Sequence, residues 1–349
     1  MPELVLFQGV VSKFWHHWFP PQASGAATMA ATPRLSSGTA MLACAAMAVL
    51  YVGMLYFPCL VFRLPPARTI NEHYIRRFAC SIAASVLASG ICFWLLPVKI
   101  LQNFDLPAAL AVLGIRRDHL WQAIFYPLLL TALLYLGPLV MAALDSTSDS
   151  DEEDEAKVEE GFIQGLYTKI TVNLWSLTAD IFAWRNYVVG PLTEEWVFRA
   201  CMVPVLLCAG YSPLKVMLLC PLFFGLAHLN HYWETVYPEK RNHGIAALIT
   251  GFRFAYTTIF GWYAAFLYLR TGHLVAPLVA HVFCNVMGLP ALGDAIESPH
   301  NKVIGFAFLL GLGGFVSLLH PATSPALYNT NTLGAYAMKM QMESVTRSG

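Results

Sequence analysis

The chain has 349 residues, 57% of them hydrophobic and only 12% charged, with a mean hydropathy of +0.56. A soluble domain carries about 25% charged residues, so half of a water-exposed surface's charge is missing and a lipid bilayer is the natural solvent. Lysine plus arginine equals aspartate plus glutamate, 21 of each, which leaves no basic field to attract nucleic acid.

Residues 1–39 mix aromatics, prolines and small polar residues without the shape of a signal peptide. They read as a loosely ordered leader, with Trp15 and Trp18 suited to an interface. Residues 40–144 read as N-terminal transmembrane helices. The first uncharged run, 40–62, holds 23 residues, and about 20 suffice to cross the hydrocarbon core. Further uncharged runs follow at 78–98 and 121–144. The arginines between the first two, Arg63, Arg68, Arg76 and Arg77, put that loop on the cytosolic side. The apolar stretch 106–115 is too short to cross.

Residues 145–160 hold nine carboxylates against one lysine and read as a disordered, self-repelling loop. From 161 to 185 apolar and polar residues alternate, with Trp175 and Trp184 as interface anchors. Apolar segments at 187–209, 213–229, 244–269, 273–292 and 303–319 bring the candidate spans to eight. Residues 321–349 form a polar tail. The expected fold is an all-α, polytopic transmembrane helical bundle of about eight spans, because a helix satisfies its own backbone in lipid. The eight cysteines form no CxxC pair and read as small apolar fillers.

Chemistry concentrates in 161–320. Ionisable groups at membrane depth are costly and usually face a bundle interior or a wet cavity. The first grouping is Glu194, Glu195 and Arg199. Thr193 is placed to cap a helix whose first turn carries both acids. Glu195 and Arg199 are four apart and can pair, whereas Glu194 projects about 100° away, its carboxylate free. A purely structural charge cluster accounts for this grouping equally well. The second is His228, with Phe224 one turn before it and His231 after it; such a histidine is more often a hydrogen-bonded core residue. The third, His281 and Asn285, shares one helical face and suits an oxyanion, or an interhelical clamp. Arg253 reads as a snorkelling residue. Together a free carboxylate, imidazoles and a carboxamide form a hydrolytic set in which an acid and a histidine deprotonate a water. No serine or cysteine nucleophile is needed. HExxH is absent, yet zinc held by Glu194, His228 and His281 stays open, because two histidines and a glutamate are a catalytic ligand set.

The order EExxxR, FxxxH, HxxxN resembles the type II CAAX prenyl endopeptidases, a branch of the ABI intramembrane glutamic proteases. The stretches RNYVVGPLTEEWVFR (185–199), FGLAHLNH (224–231) and 260–285 look like the eukaryotic branch. Many eukaryotic members read His-x-His-His in the second motif, where Asn230 here fills the middle place. The resemblance covers roughly 185–290, under a third of the chain. It implies a multi-pass enzyme of the endoplasmic reticulum membrane with a membrane-embedded catalytic cavity. The enzyme would remove the last three residues of Cys-a-a-X proteins once the cysteine carries a farnesyl or geranylgeranyl chain. Glu194 would be the base that activates water with His228, and His281 and Asn285 would form the oxyanion site. Glu195, Arg199, Phe224 and His231 would support them, with no cofactor and no metal. The alternatives are a non-catalytic scaffold or lipid-binding member that kept the motifs for packing, and a proton-coupled transporter that uses the buried acid and histidines as relays.

Overall fold

The computed structural model describes residues 35–63, 65, 67–96, 106–147, 180–237 and 240–328. The leader through residue 34, Trp175, the acidic run beyond 147 and the tail beyond 328 lie outside the described residues. Among the described residues every regular element is helical.

Helix α1 (Ser37–Leu60) starts where the Ser36 hydroxyl accepts the Thr39 amide at 3.0 Å. Helix α2 (Ile70–Leu95) starts earlier than the uncharged run suggests. Thr69 Oγ1 accepts the Glu72 amide and Glu72 Oε2 accepts the Arg68 amide, a capping exchange that nucleates the helix despite its charges. Arg76 and Arg77 therefore lie on the helix, not in the loop to which they were assigned. After α3 (Leu106–Val112), α4 (Leu120–Leu134) and α5 (Leu136–Thr147) meet at a 68° bend. Pro138 lacks an amide donor and crowds the carbonyl one turn back, which breaks the continuous span.

The next segment departs furthest from expectation. Instead of one span at 187–209, it runs as α6 (Ile181–Trp184), a π turn at Arg185–Val189, α7 (Gly190–Glu195), a second π turn at Trp196–Cys201 and α8 (Met202–Cys208). Helix α9 (Pro213–Ala227) is capped by Ser212 and passes through a 3-10 turn at His228–Asn230 into α10 (His231–Val236). Helix α11 (His243–Thr271) ends at Gly272, whose φ of 65° is the left-handed stop. The expected span at 273–292 contains only α12 (Val275–Met287), followed by α13 (Leu292–Glu297); α14 (Asn301–Ala322) then crosses in full. Among the described residues five helices are long and apolar enough to cross a membrane, or six if α4 and α5 count as one, rather than eight.

The bundle is apolar outside. Leu42 and Val49 on α1, Ile82 and Val86 on α2 and Leu309, Leu310 and Leu312 on α14 are all exposed, an apolar belt far larger than the patches a soluble monomer shows. Residues 197–209 are buried throughout, so the broken segment is the axis around which α1, α2 and α9 pack.

Helix α9 lies along α11 at glycine contacts, since without bulky side chains two backbones approach closely. A β-carbon on Gly225 would overlap Thr258 Oγ1, and one on Gly261 would stand 2.7 Å from Pro221 Cβ. This closeness fixes the end of α9, where Phe224 and His228 sit. Gly225→Ala is expected to cost about 1–3 kcal/mol by overpacking, read as a lower melting temperature in detergent, with Thr258→Ala added recovering part of the loss.

Candidate functional site

The site grows from the broken helix. The Gly190 amide donates to the Arg185 carbonyl five residues back, closing the π turn. A β-carbon at Gly190 would stand 2.5 Å from that oxygen. Glycine is thus what the turn requires. Pro191 has no amide to offer the next carbonyl, Asn186 O, and Asn285 supplies the donor instead: its Nδ2 reaches that oxygen at 2.7 Å. Such π turns tend to mark functional positions.

Thr193 is not the helix cap expected. It lies inside α7, where its hydroxyl donates to Val189 O at 2.7 Å and meets Tyr51 Oη at 2.9 Å. The two acids therefore stand at the end of α7, and the helix-dipole argument for them lapses.

Glu195 points into the protein. Its Oε1 accepts from Arg199 Nη1 at 2.9 Å and from His281 Nδ1 at 2.8 Å, with Glu195 and Arg199 both fully buried. The Arg199 guanidinium lies 4.5 Å over the Phe224 ring, a contact that offers the cation an electron-rich face. A ring nitrogen beside a carboxylate is the donor, so His281 carries its proton on Nδ1. Its Nε2 faces Glu194, 3.8 Å from Oε2, beyond direct hydrogen-bond range. Phe260 packs against the same ring at 4.8 Å.

His228 is oriented the same way. Its Nδ1 lies 2.8 Å from the Phe224 carbonyl, and a carbonyl only accepts, so the proton is on Nδ1 and Nε2 keeps its lone pair. Phe224 also walls the ring, edge-on at 4.7 Å. His231 pairs through Nδ1 with Glu234 Oε2 at 2.6 Å, and Glu234 Oε1 takes Arg77 Nη1 at 2.9 Å.

Glu194, His228 and His231 share an open cleft with Tyr51, Arg77 and Arg185. His281 reaches this group from α12, through Glu194. Asn285 stands one turn further along α12, exposed, with its amide on the π turn. Three contributors went unnoticed in the sequence: Tyr51, Arg77 and Glu234. The His231–Glu234 spacing of three on a helix was a usable signal; nothing local tied Arg77 to a partner 157 positions away. Among the described residues no three His, Cys, Asp or Glu side chains are grouped to hold a metal ion.

A family description, type II CAAX prenyl endopeptidase Rce1-like, matches residues 175–287. The chain is 42% identical to CAAX prenyl protease 2 of Arabidopsis thaliana over 298 residues, covering 85% of this chain and 94% of that protein. It is 36% identical to the Homo sapiens protein of the same name over 315 residues, 89% and 88% of the two chains. Against the probable CAAX prenyl protease 2 of Schizosaccharomyces pombe the identity is 32%, over 75% of this chain and 85% of that one. The likeness thus extends well beyond the third of the chain that carries the motifs. No solved structure matches the chain.

Two stability outcomes test the geometry. Glu195→Gln strands the buried Arg199 charge and is expected to cost about 3–5 kcal/mol, most of it regained in Glu195→Gln/Arg199→Met, where both charges go; melting curves in detergent read both. Gly190→Ala presses on the Arg185 carbonyl and is expected to lose about 1–3 kcal/mol in the same assay, although alanine ordinarily stabilises a helix over glycine.

Proposed function

The chain belongs to the type II CAAX prenyl endopeptidases, and from that membership we propose that Glu194 and His228 activate a water to cut after the prenylated cysteine of a Cys-a-a-X protein, releasing the last three residues. It is a membrane-embedded hydrolase. The observation that carries the assignment is a contrast between neighbours: Glu195 is consumed by Arg199 and His281, while Glu194 faces the cleft with no hydrogen bond among the described residues.

The chemistry follows from the protons. A water between Glu194 and His228 donates to the carboxylate and to the Nε2 lone pair, since each group is an acceptor. Glu194 takes a proton as the oxygen attacks the carbonyl carbon, and the carbonyl electrons move onto its oxygen. The tetrahedral oxyanion needs donors. His281 Nε2, which faces Glu194 at 3.8 Å, supplies one when that nitrogen carries a proton. Asn285 supplies another from the N–H that Asn186 leaves free. Glu194 then returns its proton to the departing amine as the C–N bond breaks. The new carboxyl group sheds the remaining water proton to solvent in the open cleft by way of His228 Nε2, so the products are a prenylated cysteine carboxylate, a free tripeptide and a proton.

The prenyl chain keeps the substrate in the bilayer while its polar end enters the cleft. We place the enzyme in the endoplasmic reticulum membrane, the compartment that the motif resemblance implies. A scaffold or lipid-binding role is not favoured, given relatives named as proteases, and it gives no reason for an acid left without a hydrogen bond facing an oriented imidazole.

Glu194→Gln and His228→Ala are each expected to lower turnover of a farnesylated Cys-a-a-X peptide at least about 100-fold, with melting temperature unchanged and with wild-type cleavage persisting in a strong chelator. Full activity in Glu194→Gln would remove it as the base.

A further inference from the structure

We propose that Arg185 binds the free C-terminal carboxylate of the substrate and so sets the cut three residues from the chain end. The inference rests on the peptidase reading above and assigns a second anchor in the same cleft. Its basis is a tally of charges along the wall. Arg77 is neutralised by Glu234. Two charges lining the cleft remain, Glu194 and Arg185. Among the described residues Arg185 has no carboxylate within ion-pair range. Its guanidinium is held only by the face of Tyr74, 5.8 Å from the ring centroid, which steadies the cation without consuming its donors.

A planar guanidinium matches a carboxylate in two parallel hydrogen bonds, and a substrate that loses its last three residues has one such group to offer. The spacing agrees. Three extended residues span about 10 Å, and the nine-residue step from Arg185 to Glu194 rises no more than about 14 Å along the helix, less where the π turn widens it. Side chains leaning into the cleft cover the remainder. Because both residues stand on one helix, the distance between anchor and base is built into the backbone, with Gly190 and its π turn as the spacer. The carboxylate also fixes polarity: the chain end goes to the cation, and the scissile carbonyl to the acid and imidazoles. Arg77, already paired, adds donors to the wall without competing for the anion.

The test compares two farnesylated peptides, one ending in a free carboxylate and one in a carboxamide, each N-methylated at the scissile bond so that neither is cut. Binding to the purified full chain in detergent is followed by fluorescence anisotropy. Wild type is expected to bind the acid at least about tenfold tighter, in line with a charge-assisted pair. Arg185→Gln is expected to weaken the acid to the amide's affinity and leave the amide unchanged, while Arg185→Lys keeps part of the difference. Equal binding of acid and amide by wild type overturns the proposal without any variant; so does an Arg185→Gln protein that weakens both peptides alike. Turnover of the unmethylated acid peptide is measured alongside. Preserved discrimination with no turnover would defeat the peptidase reading and leave the carboxylate site standing; turnover with no discrimination would do the reverse.

Discussion

Two opposite charges with almost no access to solvent, Glu195 and Arg199, hold the centre of this bundle in place. Removing an ion from water costs several kcal/mol unless a counter-charge and hydrogen bonds replace the solvent. Each group therefore recruits what surrounds it. Glu195 takes both Arg199 and His281 on one oxygen, and Arg199 lies over Phe224. Those contacts tie the broken helix to α9 and α12 at once. They also settle which nitrogen of His281 carries its proton, and hence which one faces Glu194. The orientation of the imidazole follows from satisfying a buried carboxylate.

Adjacent glutamates in the same helix have opposite fates because one residue of helix turns a side chain by about 100°. One turns into the apolar interior, where only a fixed salt bridge is tolerable. The other turns into the cleft, where His281 Nε2 stands 3.8 Å away and His228 lines the same wall. A single carboxylate could not serve both needs: paired, it would be a poor base, and unpaired, it would leave Arg199 stranded.

Much of this was legible because it is local. The Glu195–Arg199 pair and the Phe224–His228 contact are each four residues apart on helical segments, so spacing alone brings them together. The apolar composition announced a bilayer, and the order of three short motifs announced the family. The failures share a physical cause. Nothing in GPLTEEWVFR signals that Gly190 and Pro191 would redirect backbone hydrogen bonds, so Thr193 was read as a cap and residues 187–209 as one span. Arg77, Tyr51 and Asn285 act across 157, 142 and 99 positions, where no periodicity applies. The start of α2 was missed because a good cap at Thr69 outweighs three charges, Glu72, Arg76 and Arg77, in the first eight residues.

The length of α12 has its own consequence. Thirteen residues give about 20 Å of helix, against a hydrocarbon core of about 30 Å. Its ends are not left to lipid: the Tyr135 hydroxyl at the α4–α5 bend donates to the Gly288 carbonyl, and the Leu274 amide just before α12 donates to Gly114. Protein groups thus meet both ends of a helix too short for that core, and the backbone there is satisfied by protein where hydrocarbon offers no hydrogen bond.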